Sequence, residues 1–154
     1  MSFGLCVMSC GKYYLIMSEK KSYKDLEIYT ASLELFFGIH SLSLQLPKHE
    51  LYELGSQLRR SSDSIVFNIV EGYGRRRYKA DFIRFLVFSH SSCLETINHI
   101  HKISILYHDL KPNFEPYFEK YELLGGKIFN FIKYVEQNWN ETNPQPTTQN
   151  KNNR

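Results

Sequence analysis

The chain has 154 residues, a formal net charge of +3, 42% hydrophobic residues and 23% charged residues. This length fits one domain whose core needs no metal or disulfide, and the composition excludes a disordered chain. A net charge this small also excludes nucleic-acid binding through the overall field of the molecule, so such binding would need local clusters of basic residues.

The three cysteines, Cys6, Cys10 and Cys93, have no paired spacing of the kind that zinc sites use. We therefore expect reduced thiols, no disulfide and a cytoplasmic location. No stretch approaches the roughly 18 apolar residues that a membrane span requires, so we expect no membrane association.

Composition divides the chain into three parts. Residues 1–21 are predicted to be a poorly ordered amino-terminal extension, in which Met1 and Met17 are both possible starts. Residues 22–139 carry the helical pattern. Residues 140–154 are almost all polar and cannot bury enough apolar surface to offset the entropy of ordering, which predicts a disordered tail.

The first predicted helix covers residues 23–46, between a capping pattern at Ser22 and Asp25 and the break at Pro47. It has two apolar faces. One contains Leu26, Tyr29, Leu33, Phe36, Phe37, His40 and Leu44, and the other contains Ile28, Leu35, Ile39, Leu42 and Leu46. A monomeric bundle buries one face, so we expect the second to meet another subunit; the alternative is a helix packed among three neighbours.

Three further helices are predicted over residues 49–71, 78–107 and 113–138. Apolar residues recur at helical spacing in each, through Leu58 and Ile65, then Phe82 and Cys93, then residues 118–135. We expect Gly72 to end the second helix in a left-handed conformation, with Gly74 allowing the same, and Pro116 to fall in the first turn of the fourth. Short connections predict an all-α, antiparallel up-down-up-down four-helix bundle that forms a ring-like homo-oligomer.

Catalytic and metal-binding patterns are weak. Glu95 and His99 lie four residues apart, which is typical of an ordinary helix pair, and no Glu-x-x-His pattern elsewhere offers a partner for a metal site. Cys93 lies on an apolar stripe, where cysteine behaves as a small hydrophobic residue. Gly125-Gly126 lacks the Lys-Ser/Thr tail of a phosphate loop. We expect no catalytic residue, metal or other cofactor.

In a four-helix bundle, we expect the polar residues along one edge of the second helix to face Ser92 or Glu95 of the third helix. Buried polar groups need partners, so these residues are interpreted as a structural polar pin that fixes helix register. The pin comprises Ser64, Asn68, Glu71, Ser92 and Glu95. Catalysis by Asn68 and Glu71 is the alternative.

Basic residues concentrate between positions 59 and 84. The candidate nucleic-acid-binding residues are Arg59, Arg60, Arg75, Arg76, Arg77 and Lys79. In a ring, the arginines after Gly74 would repeat around the axis and form a positive rim suited to a phosphate backbone. The alternative is that they are solvated or pair with a neighbouring subunit.

The segment Ser64-Ile65-x-x-Asn68-Ile69-x-Glu71-Gly72-Tyr73-Gly74-Arg75 resembles the bacterial 23S rRNA intervening-sequence proteins, which are related to the accessory variability determinant proteins of diversity-generating retroelements. The resemblance covers residues 22–137 and includes Tyr23-Lys24-Asp25-Leu26, Gln57-Leu58-Arg59-Arg60, Asp81-Phe82, Phe85-Leu86, Ser92 and Glu95. Ser61 and Ser62 depart from it, because alanine is usual at both positions.

The resemblance implies a four-helix bundle that assembles as a ring, typically a homopentamer, with no known reaction. It also implies partners: RNA or DNA, ribosomal RNA or a reverse transcriptase. The leading hypothesis is a non-enzymatic homo-oligomeric accessory protein that binds structured RNA or an RNA–protein complex. The alternative is an interaction scaffold that recruits a protein such as a reverse transcriptase.

Overall fold

The computed structural model describes residues 22–139. These residues form a 3-10 turn, Tyr23–Asp25, followed by four helices: α1 Glu27–Ser43, α2 Leu54–Gly74, α3 Lys79–Leu106 and α4 Lys111–Asn138. Within residues 22–139 there is no strand, and the prediction of four helices and an all-α fold is confirmed. The predictions for residues 1–21 and 140–154 lie outside the described part of the chain.

The capping pattern at Ser22 is present, but it does not open α1. The Ser22 amide donates to Asp25 Oδ2 at 2.9 Å, and its hydroxyl accepts from the Lys24 amide at 3.4 Å. This capping box closes only the 3-10 turn, because Leu26 is extended, with φ −72° and ψ 125°, and its side chain is buried. The predicted start at residue 23 was therefore early, and the predicted end at residue 46 lies three residues beyond Ser43.

Helix α2 differs from its prediction at both ends. It begins at Leu54, since residues 47–53 form turns in which the Pro47 carbonyl accepts from the amides of Glu50 and Leu51. The prediction that Gly72 ends the helix was wrong. Helix α2 continues to Gly74, and neither glycine is left-handed. Gly72 is instead a close-approach point, packed against α3.

Helix α4 begins at Lys111, two residues before the predicted start. Pro112 occupies the second position of the helix, where its missing amide proton leaves no internal hydrogen bond unmade. As a result, Pro116 lies inside the helix rather than in its first turn, which corrects the prediction.

The helices pack around one apolar core. Along the α2–α3 contact, Ser61 pairs with Thr96, Ser64 pairs with Ser92 and Gly72 faces Phe85, so residue numbers that rise on α2 meet numbers that fall on α3. The largest fully buried side chains include Phe82, Phe114, Tyr121, Phe131 and Trp139.

The two apolar faces of α1 have different environments. The face containing Ile28, Leu35 and Ile39 is buried among the other helices. The opposite face is mixed: Leu26 is buried and Tyr29, Leu33 and Phe36 are half-buried. Its remaining residues are exposed, with Phe37 at 60% and Leu44 at 58%. None of the helices formed by residues 22–139 has the length and apolar character of a membrane span.

Candidate nucleic-acid interface

The connection between α2 and α3 presents three consecutive arginines. Arg75, Arg76 and Arg77 are all exposed. Backbone hydrogen bonds hold this short connection in place. The Arg75 amide donates to the carbonyls of Glu71 and Gly72, and the Tyr78 amide donates to the Arg75 carbonyl at 2.9 Å. The arginines therefore project from a hydrogen-bonded turn at one end of the bundle.

Aromatic rings support these arginines. The Arg76 guanidinium lies 4.0 Å from the centroid of the Tyr73 ring, and its Nη1 donates to the Tyr73 carbonyl at 2.9 Å. Arg75 lies 5.2 Å from the centroid of Phe85, and Arg77 lies 6.0 Å from that of Tyr78. Cation–π contacts of this kind restrict a guanidinium without neutralising it.

Two carboxylates partly offset the positive charge. Arg75 Nε lies 2.7 Å from Glu71 Oε1, and Arg84 Nη2 lies 3.2 Å from Asp81 Oδ1. The Arg75 side chain is 50% exposed and that of Glu71 36%, so solvent weakens the pair to at most about 1 kcal/mol. A phosphate could therefore replace Glu71 as the partner of Arg75 at low cost.

The structure separates the other candidate basic residues from the turn. Arg59 is half-buried, and its guanidinium donates to Ser43 Oγ at 3.0 Å and to the Leu51 carbonyl at 2.8 Å. Lys79 Nζ donates to the Glu136 carbonyl at 2.7 Å, near the end of α4. Arg60 is exposed on α2 but lies about 22 Å along the helix from Arg75. The three residues were predicted as part of one cluster because basic residues are dense in this stretch of the sequence. In the structure, Arg59 and Lys79 instead hydrogen bond to residues at the ends of other helices and in the connection after α1.

The predicted polar pin is joined at three of its five residues. Ser64 Oγ lies 2.9 Å from Ser92 Oγ, and Asn68 Nδ2 donates to the Ser64 hydroxyl at 3.0 Å and to the Ser64 carbonyl at 2.7 Å. Glu71 pairs with Arg75 instead, and Glu95 lies 3.5 Å from His99 Nε2 on its own helix. The pin therefore ties α2 to α3 without a carboxylate.

The match to known families extends over most of the bundle. A profile described as 23S rRNA-intervening sequence protein matches residues 24–130. The chain belongs to this family. A search of curated proteins found no match.

This family member has three buried hydroxyl hydrogen bonds between helices that the sequence analysis did not predict. Ser62 Oγ lies 2.7 Å from the Tyr121 hydroxyl, the Thr96 hydroxyl donates to Ser61 Oγ at 2.9 Å, and the Ser89 hydroxyl donates to the Ile65 carbonyl at 3.0 Å. The departures from alanine at positions 61 and 62 were the available signal. Burial raises the pKa of the Tyr121 hydroxyl, which stays protonated.

Replacing Tyr121 with phenylalanine is expected to lower the free energy of unfolding by about 1–3 kcal/mol, because Ser62 Oγ loses its partner at a site that is 1% exposed. Urea unfolding measures this change. Adding Ser62→Ala should recover part of the loss, since the orphaned hydroxyl is then gone. An additive double variant would contradict the pairing.

Cys93 does not have the properties of a catalytic nucleophile. Cys93 is buried, its Sγ lies 3.2 Å from the Tyr121 carbonyl, and burial raises the pKa of its thiol to about 12. A thiol with that pKa is protonated at neutral pH and is a poor nucleophile. Residues 22–139 contain no cluster of three or more His, Cys, Asp or Glu side chains placed to hold a metal ion.

Proposed function

We propose that this protein is a non-enzymatic homo-oligomer that binds structured RNA, or an RNA–protein complex, through Arg75, Arg76 and Arg77. The observation that carries the proposal is the turn itself, where three consecutive exposed arginines project from one end of the bundle. Membership of the family described as 23S rRNA-intervening sequence protein supports RNA as the nucleic acid.

Arginine suits this role because its planar fork donates two parallel hydrogen bonds to one phosphate and stays charged at any physiological pH. The rings beneath Arg75 and Arg76 restrict both side chains before binding, so less conformational entropy is lost when phosphate arrives. The overall charge of +3 contributes little, and local geometry supplies the interaction.

Substitution of all three arginines by glutamine tests the site. We expect RNA affinity to fall at least about tenfold, and the slope of log affinity against log salt to lose about 0.7–0.9 for each phosphate contact removed. A matched control replaces Lys102, Lys111 and Lys120, which are exposed on α3 and α4, by glutamine. Both variants change the net charge equally, so similar losses would contradict a role specific to the turn.

The oligomer that we propose is a ring, with a pentamer as the expected size, built from antiparallel up-down-up-down bundles. The antiparallel arrangement is supported by the α2–α3 contact, where higher residue numbers on α2 lie beside lower residue numbers on α3. The outward face of α1, with Phe37 and Leu44 more than half exposed, supports a contact with a second copy. Light scattering on the full chain tests this, and a stable monomer would contradict it.

A second candidate function is a scaffold whose rings recruit a protein partner such as a reverse transcriptase. Exposed apolar side chains on α3 and α4 favour it, with Leu94 53% and Leu123 69% exposed. Recovery of the same protein partner after nuclease treatment would support the scaffold over RNA binding.

Binding without catalysis is also part of the proposal. It is supported by the polar groups near the turn, because Asn68 donates to Ser64 one turn earlier in α2 and Glu71 pairs with Arg75. Turnover that disappears in Glu71→Gln with the assembly intact would contradict it.

A further inference from the structure

Cations lie beside aromatic rings in the α2–α3 turn and along the start of α3. We define this surface as the arginine–aromatic face, which consists of Tyr73, Arg75, Arg76, Arg77, Tyr78, Arg84, Phe85 and Phe88. Phe85 connects its two parts, because the Arg75 and Arg84 guanidinium groups lie 5.2 and 5.5 Å from the centroid of its ring. The Phe88 ring meets Phe85 edge-on at 5.9 Å.

The two outer rings of this face are not core residues. Tyr78 is 50% exposed and Phe88 is 47% exposed, whereas Tyr73 and Phe85 are half-buried. Tyr78 also lies beside a cation, because the Arg77 guanidinium is 6.0 Å from its ring centroid. A phosphate-binding surface needs only the cations. The exposed surfaces of Tyr78 and Phe88 are therefore available beside the cations for a contact that a phosphate backbone alone does not make.

We infer that the arginine–aromatic face binds unpaired nucleotides, with bases stacked on Tyr78 and Phe88 while the arginines hold the adjacent phosphates. This inference rests on the proposed function and names its substrate class as single-stranded loops, bulges or ends. Base stacking on an aromatic ring is sequence-tolerant, because every base offers a flat π face.

Duplex RNA satisfies this surface less well. Inside a duplex the faces of the bases are stacked on one another, so the rings of Tyr78 and Phe88 can meet only the backbone and the minor groove. The arginines would still contact phosphates, and binding would remain, but without the stacking contribution. The face should therefore distinguish unpaired from paired RNA at equal nucleotide sequence.

The test compares two RNA probes with four proteins. The probes are a single-stranded RNA without self-complementarity and the same strand annealed to its complement. The proteins are the unmodified full chain, Tyr78→Leu, Phe88→Leu and the control Phe129→Leu. Phe129 is 46% exposed on α4 and has Lys133 Nζ 4.4 Å from its ring centroid, so the control removes a comparable ring beside a cation outside the face.

We expect the unmodified protein to bind the single strand at least about tenfold more tightly than the duplex. Tyr78→Leu and Phe88→Leu should each weaken single-strand binding about tenfold, with less than about a twofold effect on the duplex. The salt dependence should not change, because neither substitution removes a phosphate contact. Phe129→Leu should bind both probes as the unmodified protein does.

Other outcomes separate the two proposals. Equal affinity for both probes, with no effect of either leucine, would overturn this inference and leave arginine-based RNA binding in place. Loss of binding to both probes by the two leucine variants would also overturn it, as would an equal loss in Phe129→Leu. An unmodified protein that binds neither probe would overturn this inference, whereas the proposed function is tested by the binding of structured RNA to the arginine variant. Circular dichroism tests whether each variant is folded. If Phe88→Leu does not fold, Tyr78→Leu, which lies at the exposed turn, provides the result.

Discussion

Gly72→Val is expected to lower the free energy of unfolding by about 2–3 kcal/mol, because α2 and α3 are in contact at this position. A Cβ atom at Gly72 would lie 2.9 Å from Phe85 Cβ and 3.3 Å from Phe82 Cδ2. Phe85 Cβ is attached directly to the backbone of α3 and cannot rotate away. The helices would have to separate, and urea unfolding at equilibrium measures the cost.

Gly74→Val provides a matched control. Gly74 is also in α2, but a Cβ atom there meets nothing within 4 Å. The two substitutions change intrinsic helix propensity in the same direction, so the difference between their unfolding free energies reports the steric conflict. Equal stability of the two variants would show that α3 yields at Phe85 without cost, which would contradict the close approach as a determinant of the fold.

The same substitution reports on the arginine turn. Gly72 precedes Arg75 by three residues, and Phe85 supports Arg75 from the other side. Separating α2 from α3 at Gly72 should therefore move Arg75 relative to the ring beneath it. A folded Gly72→Val variant with weakened RNA binding would connect helix packing to the proposed function.

Gly72 also shows where the sequence was ambiguous. A glycine near the end of a helical pattern can supply a left-handed residue or a place for another backbone to approach, and both uses are common. Periodicity within one helix cannot decide between them, because the deciding atoms belong to Phe82 and Phe85 on the next helix. By contrast, the inward stripes depend on spacing within a single helix, and the buried positions of Leu58, Phe82 and Cys93 were predictable.

The candidate site also has features that the sequence predicts and features that it does not. Arg75, Arg76 and Arg77 are adjacent in the chain, so their cluster was visible from the sequence. The engagement of Arg59 with Ser43 and Leu51 was not, because those partners come from α1 and the connection after it. Similarly, the sequence allowed Glu71 either to join the predicted polar pin or to pair with Arg75. The geometry of the turn places it beside Arg75.

Phe82 lies beneath the same turn and joins three helices. Its ring centroid is 6.1 Å from that of Phe131 and 6.0 Å from that of Trp139, both near the end of α4, and its Cδ2 faces Gly72 of α2. Phe82, Phe131 and Trp139 are each 1% exposed. This cluster therefore holds the start of α3 against α2 and α4.

Phe82→Ala is expected to lower the free energy of unfolding by about 3–5 kcal/mol, because it removes a fully buried ring and leaves a cavity. For a chain of this size the midpoint of thermal unfolding should fall by roughly 10 °C. Phe129→Ala removes the same atoms from a ring that is 46% exposed and should cost much less. Comparable losses for the two variants would contradict the assignment of Phe82 to the core.

Combining Gly72→Val with Phe82→Ala tests whether the two effects share one space. If they do, the cavity left by Phe82 accommodates part of the valine, and the double variant loses less stability than the sum of the single variants. Relief should be partial, because Phe85 Cβ, the nearer atom, remains in place. Strict additivity would mean that α2 is held away from α3 by Phe85 alone, and that Phe82 stabilises the turn only through its contacts with α4.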